Sequence, residues 1–515
     1  MPENYNISLN FIETCDKSSK NLFYSNRSAD ITYGEMRAMI TNLASFISQG
    51  NKLKKVGILG TKSPEAYAGI LAAGYAGATY VPLNLKWTEQ RIVQLLEALH
   101  LDALIVDKQG LTLLTPAVLN VAPDIVIVPA NKNITPARHA QKISEFSGIT
   151  ADTLRAPAFV TAKDLAYIIF TSGTTGMPKG VMISAGALKS YIEQAKPWTQ
   201  LTTQDRLAET CDVTFDLSVH NLFLCADAGA SLHILSSLEM LAPSRFIRER
   251  SITVWMSVPT LAAMMRKSGS LKPDSLPTLR SSIFCGEPLP VATVEAWSKA
   301  APNGTIDNIY GPTEGTVICL RHRVGATPVT TPGRDIIAIG TPYTSMQVAV
   351  FDAQQRPLPN GQVGEIALCG PQLADCYFNY ANTNQTDRFR EIEGQRWYLT
   401  GDLGMRDENG IYHHLGRTDN QIKLKGNRIE LEEVEAHLRH AAQSEMVAVI
   451  AWPIIEGSAQ ALVAFCTSPL KETVIKTALL ENLPRYMVPE NIHIRDELPV
   501  NINGKIDRKQ LIEQM

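Results

Sequence analysis

The sequence predicts an α/β protein. It has a large N-terminal domain of layered, mostly parallel β-sheets with helices, a small β-rich subdomain, and a small α+β C-terminal domain. Three observations carry this reading. Short apolar runs alternate with helical patterns from the N-terminal region onward, the mark of parallel strands with helices on their faces. Near residue 343 the texture changes to short strands joined by Gly, Asn and Asp turns. After Gly416 it changes again, to an amphipathic helix opened by acidic residues and followed by two strands and a helix. At 515 residues the chain exceeds one ordinary core, so two or more domains are expected.

The elements follow in order. VGILG (56–60) reads as a buried strand, 64–76 as a helix, ATYVPL (78–83) as a strand, 89–99 as a helix and DALIV (102–106) as a third strand. DIVIVPA (124–130) repeats the strand signal, and 141–158 reads as irregular. Apolar strands return at 230–235, 252–259 and 279–287, each after a helical segment. MQVAVFD, GEIALCG and the run from Arg396 to Gly416 form the β-rich part. ELEEVEAHLRHA (430–441) is the amphipathic helix, MVAVIAWP and QALVAFCT are paired strands, and KETVIKTALLENL is a helix. These patterns divide the chain into a core of 1–416 (β-rich subdomain about 343–416), a connection at 417–420 and a cap of 421–515. No internal repeat or low-complexity tract stands out.

Composition narrows the function classes. With 48 basic and 51 acidic side chains the formal charge is -3, so no global field invites nucleic acid or an anionic membrane. Eight scattered cysteines without a CxxC pair read as reduced thiols of a cytoplasmic protein. The N-terminus lacks a basic region followed by an apolar one, so no signal peptide is expected. The most apolar long stretch, 66–83, is broken by Gly69, Gly74, Gly77 and Pro82 and reads as a core helix and strand rather than a membrane span.

The most informative stretch is YIIFTSGTTGMPKG (167–180). A strand ends in a loop that gathers Thr171, Ser172, Gly173, Thr174, Thr175, Gly176 and Lys179. Hydroxyls, exposed backbone N–H groups and one cation at a strand end suit an anion, phosphate above all. The spacing is not GxxxxGK[ST], which leaves a phosphate loop of another kind or a polar turn that carries a lysine.

Further motifs decide between these. TSGTTGMPKG, NIYGPTE (308–314), YLTGDLG (398–404), GRTDNQIKLKGNRIELEEVE (416–435) and NGKIDR (503–508) come in the order and at the distances seen in adenylate-forming enzymes. The chain resembles that superfamily over nearly its whole length: acyl-CoA synthetases, luciferases and the adenylation domains of peptide synthetases. The resemblance implies two half-reactions. A carboxylate attacks the α-phosphate of ATP to give an acyl-adenylate and pyrophosphate; a thiol then takes the acyl group and AMP leaves. It also implies that the C-terminal domain is mobile and rotates between the steps.

The resemblance assigns roles. Thr171, Ser172, Thr174, Thr175 and Lys179 would meet phosphate oxygens, with Gly173 and Gly176 letting the backbone approach. Asn308, Tyr310, Gly311 and Thr313 would form the adenine site, Tyr310 by stacking, while Asp402 would accept the ribose hydroxyls and Arg417 would reach ribose or phosphate. Glu314 would be the Mg²⁺ ligand. Asp419 matches the hinge, an exposed polar position able to absorb a large backbone change. Lys505 would enter the site for adenylation only, and Leu424, Lys425 and Gly426 would border the path of the incoming thiol.

FDLSVHNLF (215–223) resembles the substrate motif of amino-acid-activating members, with Asp216 meeting the substrate ammonium and Lys505 the carboxylate. A lone carboxylate in an apolar pocket needs a cation; the ordinary alternative is a helix-capping aspartate. Motif mapping names Leu217, His220, Met256, Ile283, Cys285, Ile309, Val317 and Ile318 as pocket walls. These apolar walls suit a small or medium aliphatic amino acid. FDLSVH and the pocket look similar to stand-alone prolyl-activating enzymes, which favours L-proline; FCGE (284–287) with FDLSV looks like D-alanine–carrier ligases. Serine, valine, an acyl-CoA synthetase or a degenerate nucleotide-binding module are the other readings. No carrier-like GGxS segment is found, so a separate phosphopantetheinylated carrier protein is the expected acceptor, with coenzyme A as the alternative thiol and no nucleic-acid or membrane partner.

Overall fold

The structure is a computed structural model and describes residues 3–48, 53–130, 134–151, 153–172, 178–378, 388–456, 458–500 and 506–515. Two large sheets form the N-terminal domain. In the eight-stranded sheet, Lys55–Leu59, Thr79–Pro82, Ala103–Val106, Ile125–Val128 and Leu165–Thr171 run parallel, and Lys179–Ser184 folds back antiparallel on Leu165–Thr171. In the nine-stranded sheet, Arg206–Glu209, Ser231–Ile234, Val254–Ser257, Ser281–Cys285 and Thr305–Tyr310 are the parallel centre.

Two helices lie between these layers. Pro64–Tyr75 starts from Ser63, whose side chain accepts from the Ala66 N–H, with Pro64 in the first turn. Every residue of 66–75 is buried. Leu217–Ala228 is buried throughout its first ten residues and ends at Gly229, whose φ of 71° terminates the helix. A helix that is apolar all round belongs in the interior of a layered protein, and this accounts for the apolar run at 66–83. No helix among the described residues is long and apolar enough to cross a membrane. All eight cysteines are unpaired.

The main core joins both sheets and these helices. A second core lies on the outer face of the nine-stranded sheet. There the Trp297 ring packs against Trp255 and Phe284 at 5.9 and 5.1 Å, and each indole N–H donates to a serine hydroxyl, Ser282 or Ser257. Burial of these large rings is inexpensive only because their polar edges are satisfied.

The β-rich region is a five-stranded antiparallel sheet of Gln347–Phe351, Gly364–Cys369, Gln395–Arg406, Phe389–Ile392 and Tyr412–Arg417. Cys376–Phe378, within the span read as that subdomain, instead pairs with Lys179–Ser184 in the eight-stranded sheet. Residues 141–158, read as irregular, contain the edge strand Lys142–Glu145, parallel to Ile125–Val128. Its KISE sequence is polar and mostly exposed, so no burial pattern announces it. The C-terminal domain has two small sheets and the helices Leu431–Ala442 and Glu472–Asn482 around their own core.

Candidate active site

A cleft opens where the C-terminal ends of the parallel strands, the five-stranded sheet and the C-terminal domain converge. It has two adjoining lobes that share Tyr310, Gly311, Asp402, Arg417 and Lys423. Strand ends at a change of sheet direction are where α/β folds bind ligands.

Asp402 is the charge centre. It sits on Gln395–Arg406, opposite Arg417 in the register. One oxygen accepts from the Tyr310 hydroxyl at 2.5 Å. The other accepts from Arg417 Nη1 at 2.7 Å and faces His414 Nε2 at 3.3 Å. Burial pushes its pKa upward, but the Arg417 charge and the bonds from His414 and Tyr310 outweigh it and hold the carboxyl well below the usual carboxylate range. Arg417 also forks onto Asp419, at 2.7 and 2.9 Å, and Arg388 reaches Asp419 at 2.6 Å. Asp419, read from sequence as an exposed hinge residue, is therefore half-buried and doubly ion-paired. Residues expected at an adenine site gather here: Asn308 donates to the Ala338 carbonyl at 2.9 Å, and Tyr310 and Gly311 border both lobes.

The loop expected to meet phosphate is described at its ends only. Gly173, Thr174, Thr175 and Gly176 lie outside the described residues, as does Lys505. Thr171 and Ser172 border the cleft, and each has a buried hydroxyl oxygen with no partner among the described residues. Lys179 is partly buried with its ammonium 5.9 Å from the Tyr377 ring centre; burial lowers its pKa, and Glu430 and Glu314 oppose that.

Glu314 has no exposure and is fully engaged. Arg428, from the C-terminal domain, reaches its two oxygens at 3.0 and 3.4 Å, and Tyr377 donates to it at 2.8 Å. Burial pushes against ionisation, yet Arg428 and Tyr377 bring its pKa down to about 2. Expected as the Mg²⁺ ligand, Glu314 in this arrangement already has a cation. No cluster of three metal-ligating side chains occurs among the described residues. The side chains as placed do not fit a metal ion.

At the other end of the cleft Asp216 begins the helix Leu217–Ala228. Its side chain makes no capping bond, so the helix-cap alternative does not describe it. Burial pushes its pKa up to about 6, against a hydrogen bond from Thr313 and the charge of Lys423. Leu217 and Cys285 line the cleft beside it, and Ile309 lines the neighbouring lobe. His220, Met256, Ile283, Val317 and Ile318, expected as walls, are packed in the core. The His220 ring is held by the Tyr191 hydroxyl at 2.5 Å and stacks on Trp198 at 5.8 Å; burial lowers its pKa to about 3, so it is neutral.

The expected thiol path is bordered by the C-terminal domain. Gly426 donates its N–H to Glu287 at 2.8 Å, with φ of 81° and Val258 close beneath it. Leu424 is buried, and Lys425 points outward near Glu490. A buried Arg91–Glu433 ion pair closes the same side. Sequence reasoning missed Arg428, Lys423, Glu287 and Arg91. Arg428 and Lys423 stand inside a motif already singled out, but no local pattern names their partners.

Comparison with known proteins agrees with this architecture. Residues 11–378 match the family described as AMP-binding enzyme. A D-alanine–D-alanyl carrier protein ligase of Bacillus velezensis is 30% identical, with 94% of each chain covered. A ligase of the same name from Bacillus cereus is 29% identical over 98% of this chain and 97% of its own. The Vibrio cholerae adenylation domain AlmE, solved with glycyl-adenosine-5′-phosphate, superposes with a TM-score of 0.87 at 31% identity, covering 100% of this chain and 98% of that one.

The charge centre predicts unequal losses. Arg417→Met strands a buried carboxylate and should lower unfolding stability by about 3 kcal/mol. Tyr310→Phe removes one of several donors and should cost about 1 kcal/mol. Urea unfolding at neutral pH measures both. Because the folded pKa of Asp402 is depressed, its contribution is complete above the ordinary carboxylate range and is lost as pH falls below it. The gap between the two variants should narrow in acid.

Proposed function

The chain belongs to the AMP-binding enzyme family, and from that premise we propose that it activates a small amino acid with ATP and passes it to the phosphopantetheine thiol of a separate carrier protein. In the first step a carboxylate oxygen of the amino acid bonds to the α-phosphorus and pyrophosphate leaves. In the second the thiol sulfur bonds to the acyl carbon, the thiol proton passes to solvent or a base, and AMP leaves. The observation that carries the reading is Asp216: a cleft-lining carboxylate with no capping role, set beside Leu217 and Cys285 where an ammonium would meet it. An acyl or aryl acid would leave that carboxylate uncompensated. The carrier-ligase names of the relatives support the acceptor assignment.

Each residue has work in this scheme. Tyr310 and Gly311 flank the adenine position, Asp402 and Arg417 the ribose, and Thr171, Ser172 and Lys179 the phosphates. Lys505 would serve the first step. Mg²⁺ would require Arg428 to withdraw from Glu314, so no step is drawn through it.

The names of the relatives and the glycyl-adenylate held by AlmE favour glycine or D-alanine over the L-proline suggested by motif resemblance.

Amino-acid-dependent exchange of labelled pyrophosphate into ATP tests the proposal. Exchange should be strongest with glycine or D-alanine, weak with L-proline and absent with a fatty or aryl acid. Exchange confined to amine-free acids would refute it. A second expectation concerns pH. With a folded pKa of about 6, Asp216 loses its charge as pH falls, so kcat/KM for the amino acid should drop about tenfold per unit below that value. Asp216→Asn should flatten the profile and lower kcat/KM at pH 7.5 by about thirtyfold.

A further inference from the structure

The connection between Thr305–Tyr310 and Leu320–Arg323 carries three groups that face the cleft or its cation: Gly311, Thr313 and Glu314. Its base is closed by the Cys319 N–H on the Tyr310 carbonyl at 2.8 Å. Its far side is strained. Thr316 and Val317 follow one another at φ of 57° and 68°, a region that β-branched residues rarely enter. Glycine or asparagine would accept this backbone easily, and neither is present. The turn is also pressed tight: a Cβ on Gly311 would stand 2.4 Å from the Val317 carbonyl oxygen. Such strain persists only where the surroundings over-determine the backbone.

The surroundings that do so lie in one short segment of the β-rich region. Gln372 is fully buried and touches neither lobe of the cleft. Its amide nitrogen donates to the carbonyls of Gly315 at 3.3 Å and Ile318 at 2.9 Å, on either side of the strained pair. Its own main-chain carbonyl accepts from the Thr316 hydroxyl. Ser345 holds the amide oxygen at 3.4 Å. Two residues on, the Ala374 N–H donates to the Glu314 carbonyl at 2.8 Å, and Tyr377 reaches the Glu314 carboxylate. The segment is a strap whose donors and acceptors match the turn from Glu314 to Ile318.

We propose that Gln372 is a positioning residue: its amide holds residues 311–318 in the strained turn, and through that turn sets both the Gly311 wall of the nucleotide lobe and Thr313, which borders the same cleft as Asp216. The amino-acid half of this inference rests on the activity proposed above; the nucleotide half stands without it. Loss of the amide lets Thr316 and Val317 relax, the Val317 carbonyl moves from beneath Gly311, and both binding surfaces shift together.

The test uses the full chain and AMP alone as probe, by equilibrium dialysis, with thermal unfolding recorded in parallel. Gln372→Met keeps the volume and removes the donors; it should weaken AMP binding about tenfold at temperatures where the chain is folded. Placing Thr316→Gly in the same chain removes the conformational penalty that the amide offsets, and AMP affinity should return to within about threefold of the parent. In pyrophosphate exchange with glycine, the KM for the amino acid should rise more than kcat falls. A folded Gln372→Met chain with parental AMP affinity would overturn the proposal. So would a loss that Thr316→Gly fails to recover, since that pattern belongs to general packing. If Gln372→Met does not fold, Thr316→Val carries the test, because it removes one bond of the clamp and little volume; AMP affinity lowered about threefold supports the clamp, and unchanged affinity refutes it. A parent that binds AMP but shows no exchange with any amino acid would defeat the proposed activity and leave the nucleotide arm readable.

Discussion

The Asp402–Arg417 ion pair is the constraint on which the cleft depends. Asp402 belongs to the five-stranded sheet, Tyr310 to the nine-stranded sheet, and Arg417 stands where the chain leaves for the C-terminal domain. Two sheets, and the point where the chain leaves for the C-terminal domain, thus meet at one carboxylate. A buried charge tolerates little displacement, because losing any partner leaves it unpaired at low dielectric. The position of the cleft relative to the connection at 417–420 is fixed by that intolerance. Asp419 and Arg388 extend the network, so the connection is held by charge at its start.

The C-terminal domain is docked by a second set of polar contacts. Arg428 meets Glu314, Gly426 meets Glu287, and Arg91 meets Glu433. These place Lys423 and Gly426 in the cleft and give Glu314 a guanidinium. In the docked arrangement Arg428 supplies the positive charge beside Glu314.

Much of the architecture was legible in the sequence. Strands such as Ala103–Val106 and Leu165–Thr171 are fully or largely buried apolar runs bounded by turn residues, and periodicity finds such elements. Lys142–Glu145 was not legible, because an exposed edge strand has no apolar face to display. The site divides the same way. Asp216, Tyr310, Asp402 and Arg417 stand in motifs and do converge. The walls His220, Met256, Ile283, Val317 and Ile318 were named by motif alone, while His220 is held by Tyr191 on the helix Ala185–Thr199, which carries no motif. Arg428 and Gln372 were missed for a related reason. Their partners lie far away in sequence, and no local pattern encodes a pairing made by the fold.

The central claim is that a small ammonium-bearing acid is recognised by Asp216. Calorimetric binding of two non-hydrolysable acyl-sulfamoyl adenosines, glycyl and acetyl, tests it most directly, since they differ only by the amine. The account predicts that the glycyl compound binds about thirtyfold tighter at pH 7.5, and that Asp216→Asn abolishes the difference. Equal affinity of the two compounds for the parent protein would contradict it.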